Sequence, residues 1–340
     1  SNDFWAVKLN ADNLQGNIEY RQCVPERYDI NIKKMDFKLF DIDGLQQLLA
    51  QQETTSLPKI SDNLRKDYPE VFLECVQCNL EKMQLSPLKA HVYPSKTSFN
   101  IDYLKIGKEG QATNISGVWD QRRTNIIVDS KGNSDNSIVH RLGYSSPMVY
   151  EQAALNGALN WIGAPWKFNL DSLNGELSVK AENGQITEVD DKGARLLSFL
   201  SLDGIRRSLN LEFGNIFSKG LGFDDMSLSA NISNGILKND DYFLNGSAGK
   251  ISGEGLIDLP NLNVNYRFSY SPAVTSSLPV LAAFAINPLT GAAVLMMTKI
   301  LEPVVDSIIR VDFSVKGALE DPDVKIEDRQ RGVVKLQNSE

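Results

Sequence analysis

The sequence predicts a mainly β protein: an antiparallel sheet with one apolar face, joined by tight hairpins and carrying few helices. Three observations predict it. Apolar and polar residues alternate over short runs along much of the chain, the period of a strand that faces water on one side only. Asn-Gly pairs at 183–184 and 234–235 fall between such runs, where hairpin turns take residues of positive φ. Apolar residues at helical spacing are confined to three segments.

Taken in chain order, Trp5, Val7 and Leu9 alternate in WAVKL, and Tyr28, Ile30 and Ile32 in YDINI. After Asp43, Leu45, Leu48 and Leu49 stand at helix spacing, and the polar stretch from Thr54 to Pro69 reads as a loop, so 43–69 form a helical and loop insertion. Alternation returns with Trp166, Phe168 and Leu170, and again with Leu177, Val179 and Ala181. Residues 194–209 read as two short apolar helices split at Asp203–Gly204. In LNVNYRFSY, Leu262, Val264, Tyr266, Phe268 and Tyr270 take one face, while Asn263, Asn265, Arg267 and Ser269 take the other. Ile309, Val311, Phe313 and Val315 repeat the pattern.

Between these last two runs lies a segment with no charged side chain from Arg267 to Lys299. A membrane-spanning helix needs about 20 consecutive apolar residues. Asn287–Pro288 interrupts the run, because proline lacks an N–H and disfavours helix at the residue before it. The segment therefore reads as a helical hairpin over about 278–308. Leu281, Phe284, Leu289, Val294, Leu295 and Met296 would cover the apolar end of the sheet or touch a membrane surface. The organisation expected is a β-sheet region over 1–160, a second over 161–326 with capping helices, and a polar tail over 327–340.

Charge and composition exclude several function classes. A net charge of −8 argues against nucleic acid, whose binding needs a basic surface to displace counterions. Cys75 and Cys78 form a C-x-x-C, but with Cys23 as the only other cysteine and only His91 and His140 as histidines, a zinc site lacks ligands. In a strand, residues three apart point to opposite faces, so the disulfide expected joins Cys23 to Cys75 or to Cys78, with free thiols as the alternative. The nucleophile-elbow spacing, the phosphate-cradling glycine loop and the dinucleotide fingerprint are missing, so no catalytic residue, cofactor or metal is expected.

A one-faced sheet must cover its apolar side. A second sheet would make a filled sandwich; a curled trough would leave the face for a ligand. Several pieces occur in an order that resembles the AsmA-like group of Gram-negative envelope proteins. They are Trp161–Gly163–Pro165, GARLLSFLSLDGIRR, FSKGLGFDD, SSLPVLAAFAINPLTGAAVLMM and DFSVKGALEDPDV. The resemblance implies a bridge-like lipid transfer protein: a long, twisted, U-shaped β trough across the periplasm. It further implies an inner-membrane anchor in an N-terminal helix outside this sequence, and phospholipid as cargo bound for the outer membrane. The inner leaflet of that membrane and other envelope proteins would be partners.

A conduit of this kind needs only unbroken apolar side chains. Exposing two ordinary acyl chains to water costs on the order of 20 kcal/mol, at about 0.8 kcal/mol per methylene. The residues expected to line the groove are Phe168, Leu170, Leu177, Val179, Ile257, Leu262, Val264, Tyr266, Phe268, Ile309, Val311, Phe313 and Val315. A non-enzymatic structural or interaction module with a filled β-sandwich core is the alternative.

Overall fold

The computed structural model describes residues 3–37, 61–80, 82–144, 146, 148–186, 221–273, 304–319 and 322–335. Among them, seventeen strands belong to one mixed sheet, with two single-turn helices and one 3-10 turn. The chain divides into two compact units, residues 1–145 with 153–177, and residues 146–152 with 178–340. The helices expected at 43–53, 194–209 and 278–303, with Leu281, Phe284, Leu289, Val294, Leu295 and Met296, lie outside the described residues. No described helix is long and apolar enough to cross a membrane.

The first unit is built from β1 (Phe4–Ala11), β2 (Leu14–Arg21), β3 (Arg27–Phe37), β4 (Glu70–Leu80), β5 (Met83–Gln84) and β6 (Leu88–Pro94). It continues through β7 (Phe99–Lys108), β8 (Gln111–Trp119), β9 (Arg123–Gly132) and most of β10 (Met148–Ile162). Successive strands pair antiparallel, β6 lying beside β4 with β5 as a two-residue partner of the β4 end. The expectation of a wholly antiparallel sheet fails between β3 and β4. β3 and β4 are parallel, from Arg27↔Glu70 to Phe37↔Leu80. Parallel neighbours need a crossover of a dozen residues or more, and the connection 38–69 supplies it.

That connection ends in α1 (Leu64–Asp67), where the sequence suggested only loop. Asn63 caps it, accepting from Arg65 N–H at 3.2 Å, and Leu64 is buried against Trp119 and Ala164. A second turn, α2 (Ile138–Arg141), starts at Ser137, whose Oγ accepts from His140 N–H at 3.1 Å.

The disulfide joins Cys75 to Cys78, and Cys23 is free and exposed. The strand-geometry objection fails because β4 leaves regular extension here. The two Cα atoms are 5.9 Å apart, inside the range a disulfide spans. Cys75 pairs with Leu88 of β6, whereas Asn79 pairs with Gln84 of β5, so the bend falls where β4 changes partner.

Residues 166–170 are not a strand. They belong to the connection between β10 and β11 (Asn174–Ile186), turned by Gly163 at φ +129° and by Asn169, whose Oδ1 accepts from Ser172 N–H. Nor is Asn183–Gly184 a hairpin turn. β11 runs through it, Asn183 adopting φ +50° and donating to Glu151 Oε2, while a Cβ at Gly184 would lie 2.2 Å from the Phe223 ring. Asn234–Gly235 does form its turn, at φ +47° and +76°.

In the second unit β12 (Leu221–Ser233), β13 (Ile236–Gly246), β14 (Gly249–Asp258), β15 (Asn263–Pro272), β16 (Val304–Ala318) and β17 (Asp323–Lys335) form one antiparallel meander. Residues 304–308, expected at the end of a helix, are thus the start of β16, held by pairs such as Val304↔Lys335. Of the residues expected as a polar tail, 327–335 lie in β17.

Candidate functional site

Pairing brings together in the first unit what the sequence scatters. Residues directly opposite one another on paired strands share a face, so the registers define rows running across the strands. The central row is Val7, Ile18, Ile30, Leu73, Ala90, Leu104, Ile115, Val128 and Gly157, one residue from each of nine strands. Beside it runs Trp5, Tyr20, Tyr28, Val71, Val92, Ile101, Gly117, Ile126 and Leu159. On the other side runs Leu9, Gly16, Ile32, Cys75, Leu88, Ile106, Thr113, Ser130 and Leu155. None of these residues is charged. Two rows run behind them on the opposite face. One mixes Ala6, Phe72, Ile127 and Ala158 with Glu19, Asp29, His91 and Ser116. The other is Lys8, Asn17, Asn31, Glu74, Lys89, Lys105, Asn114, Asp129 and Asn156, every member polar.

Strand spacing makes this strip about 40 Å long, and the rise per residue makes it about 13 Å wide. Its central row is half-buried for the most part, and Val7 at one end is 44% exposed. The margins differ. Trp119, Thr124 and Trp161 continue the face beyond the aromatic row, where Tyr68, Phe99, Trp119 and Trp166 cluster edge to face. Beyond the opposite row, Leu14, Met35, Leu85 and Ile138 pack against the cluster of Ile32, Cys75, Cys78, Leu88 and Ile106.

Two of the residues expected in a groove reach this strip. Leu177 lies over the central row, where a Cβ on Gly157 would stand 2.5 Å from its Cδ2, so only glycine leaves it room. Phe168 packs its ring on Trp161 at 5.1 Å and is 55% exposed at the aromatic margin. Leu170 sits half-buried in the same connection and Val179 half-buried on β11. The alternation of Trp5, Val7 and Leu9 and of Tyr28, Ile30 and Ile32 matches their places in the strip, without marking them as groove lining; the other strip residues carry no such signal. Each strand contributes only one to three apolar side chains, and register shifts at His91/Val92 and Ile101/Leu104 break the alternation.

The second unit has its own apolar face. Ile257, Val264, Tyr266, Phe268, Val311, Phe313 and Val315 are all 8% exposed or less and share one face of β14, β15 and β16. Phe268 stacks between Tyr266 (5.1 Å) and Phe313 (5.6 Å), with Tyr242 edge-on at 5.6 Å. Glycine makes the space: Gly253 lies opposite Phe268 and Gly255 opposite Tyr266, and each ring covers its glycine. Leu262 does not join them. It closes the turn before β15 at φ +51°, its carbonyl accepting from Leu319 N–H, so the alternation begins one residue later. Ile309 falls at a register shift between Ile308 and Arg310.

One polar node interrupts this face. Asn239 is buried in a bulge of β13, donating to Ser229 O and Asp241 Oδ1 and accepting from the Tyr266 hydroxyl at 2.8 Å. Burial, reinforced by the Asp241 charge, raises the Tyr266 pKa, so the phenol stays a donor. The Tyr242 hydroxyl is buried without a partner among the described residues. Tyr266→Phe should therefore cost about 1–3 kcal/mol by orphaning the Asn239 oxygen, whereas Tyr242→Phe should be neutral or stabilising. Urea unfolding of the two variants checks the contrast.

The family model described as YhdP protein matches residues 1–324. An Escherichia coli (strain K12) protein described as intermembrane phospholipid transporter YhdP is 25% identical over 267 residues, 76% of this chain. The chain spans 21% of the length of that relative. No solved structure matches it.

Proposed function

Because the chain belongs to the YhdP family, we propose that it is a segment of a lipid conduit in the Gram-negative envelope. In this reading phospholipid tails slide along the apolar strip while their headgroups stay in water. The observation that carries it is the charge-free strip crossing nine strands. A bilayer core of ~30 Å holds two leaflets of tails, so one tail reaches ~15 Å. A strip of about 40 Å is longer than any single lipid needs, which suits a track better than a binding pocket. The relative's description as an intermembrane phospholipid transporter supports phospholipid as cargo. The role is non-enzymatic and the location periplasmic. We assign the segment to the end nearer the outer membrane, on the resemblance of 161–326 to the C-terminal part of AsmA-like proteins. The inner leaflet of that membrane and other envelope proteins are the partners in this reading.

A second reading, a structural or interaction module with a filled core, draws on the second unit, whose apolar face is 8% exposed or less. Photo-crosslinking separates the two. A photoreactive residue at Ile30, Leu73 or Leu104 should capture phospholipid in cells, and one at Asn31 or Lys105 should not. Positions Phe268 and Val311, against Asn265 and Arg267, extend the test to the second unit. Mass spectrometry identifies the adducts; no adduct at any strip position would leave the module.

A further inference from the structure

We propose that the first unit holds a pocket for a phosphate-type oxyanion, with Arg141 at its base and Lys108 beside it. A cavity of ≈ 320 Å³ opens where the ends of β4, β5, β7 and β8 meet α2. Asn79, Gln84, Lys108, Gln111, Asn136 and Arg141 line it, with the Ser86 side. In a chain of net charge −8, its lining contains no carboxylate.

Arg141 is only 6% exposed. Its Nε donates to Asn136 O (3.1 Å), one terminal nitrogen to Ser86 O (2.9 Å) and the other to Asn136 Oδ1 (2.8 Å). All three acceptors are neutral, and a guanidinium has five N–H donors, so among the described residues two donors have no partner and the positive charge has no counter-charge. Buried charges ordinarily carry a counter-charge, because an unpaired one is costly. Burial lowers the Arg141 pKa with no carboxylate opposing it. The three bonds hold the planar fork still, the geometry that grips phosphate through two parallel bonds. The larger pocket of the second unit, ≈ 560 Å³, differs: Asp240 and Glu254 stand there among Lys238, Arg267 and Lys316.

The pocket also borders the strip. Ile138, one turn before Arg141 on α2, packs against Ile32, Cys75, Leu88 and Ile106, members of the marginal row. A lipid headgroup and a free phosphate share the chemistry that would bind here. The pocket stands on its own residues, whether or not the strip carries lipid.

Calorimetric titration of the full 340-residue chain with inorganic phosphate, glycerophosphoglycerol and dihexanoyl phosphatidylglycerol tests it. Saturable, salt-sensitive binding of at least one is expected, weakened about tenfold by Arg141→Gln. The exposed Lys108→Glu should weaken it comparably, and carries the test if Arg141→Gln does not fold. Binding by inorganic phosphate alone assigns a free anion; binding that appears only with the acylated ligand and is lost in Lys108→Glu assigns a headgroup. No saturable binding by any of the three, or binding unchanged in the folded variants, overturns the pocket.

Discussion

Phe268→Ala should lower the unfolding free energy of the second unit by about 3–5 kcal/mol, the range for deleting a fully buried phenyl ring. Phe268 is 1% exposed and touches the rings of Tyr242, Tyr266 and Phe313 among the described residues, so its loss removes both hydrophobic burial and the stacking that aligns Tyr266 with Phe313. The glycine beneath it makes the prediction sharper. A Cβ at Gly253 would lie 2.5 Å from Phe268 Cδ1, closer than packed atoms come. Gly253→Ala alone should therefore cost about 1–3 kcal/mol by forcing the ring off its place. In the Phe268→Ala background the same change meets an empty space, and its cost should vanish or reverse. Additive effects across this double-mutant cycle, measured by denaturant unfolding, would contradict a ring resting on its glycine.

The same pairing logic explains what could be read in the sequence. Val264, Tyr266 and Phe268 were legible because their ladder with Val315 and Phe313 has no register shift, so period two survives intact. Ile101, Leu104 and Ile106 share a face only because a shift in the β7 ladders absorbs a residue between the first two. Read as a regular strand, they do not alternate. Cys75 and Cys78 failed for the same reason, a bend that period two does not contain. Asn183–Gly184 carries the dipeptide of a hairpin, yet its conformation serves a strand that passes beside Glu151 and Phe223. The strip of the first unit is a property of nine strands in register. A parallel step between β3 and β4 lies inside it, and hydrophobic pattern alone does not reveal which strand follows which. The strongest single runs accordingly stand out in the sequence, whereas the continuous strip of the first unit is shared among many weak ones.

Continuity is also the property to break. Ile126 and Val128 of β9 carry two of the three rows, and Ser130 the third, so Ile126→Asp with Val128→Asp interrupts the strip across its width at one strand. Both side chains are half-buried, which lets the carboxylates keep water and the sheet keep its ladders. A tail passing that strand would then meet the carboxylates' hydration shell. Two methylenes on each of two chains, at about 0.8 kcal/mol apiece, add about 3 kcal/mol to the barrier, on the order of a hundredfold in rate. The control places the same charge on the same strand facing the other way: Asn125→Asp with Ile127→Asp, the latter already 62% exposed. Lipid capture at a photoreactive Leu159, supplied with lipid from the β1 side, should fall at least about tenfold in the first double variant and stay within about twofold in the second. Both would be compared as folded, gel-filtered protein. Equal capture in the two variants would mean that tails do not travel along these rows, whatever else the apolar face does.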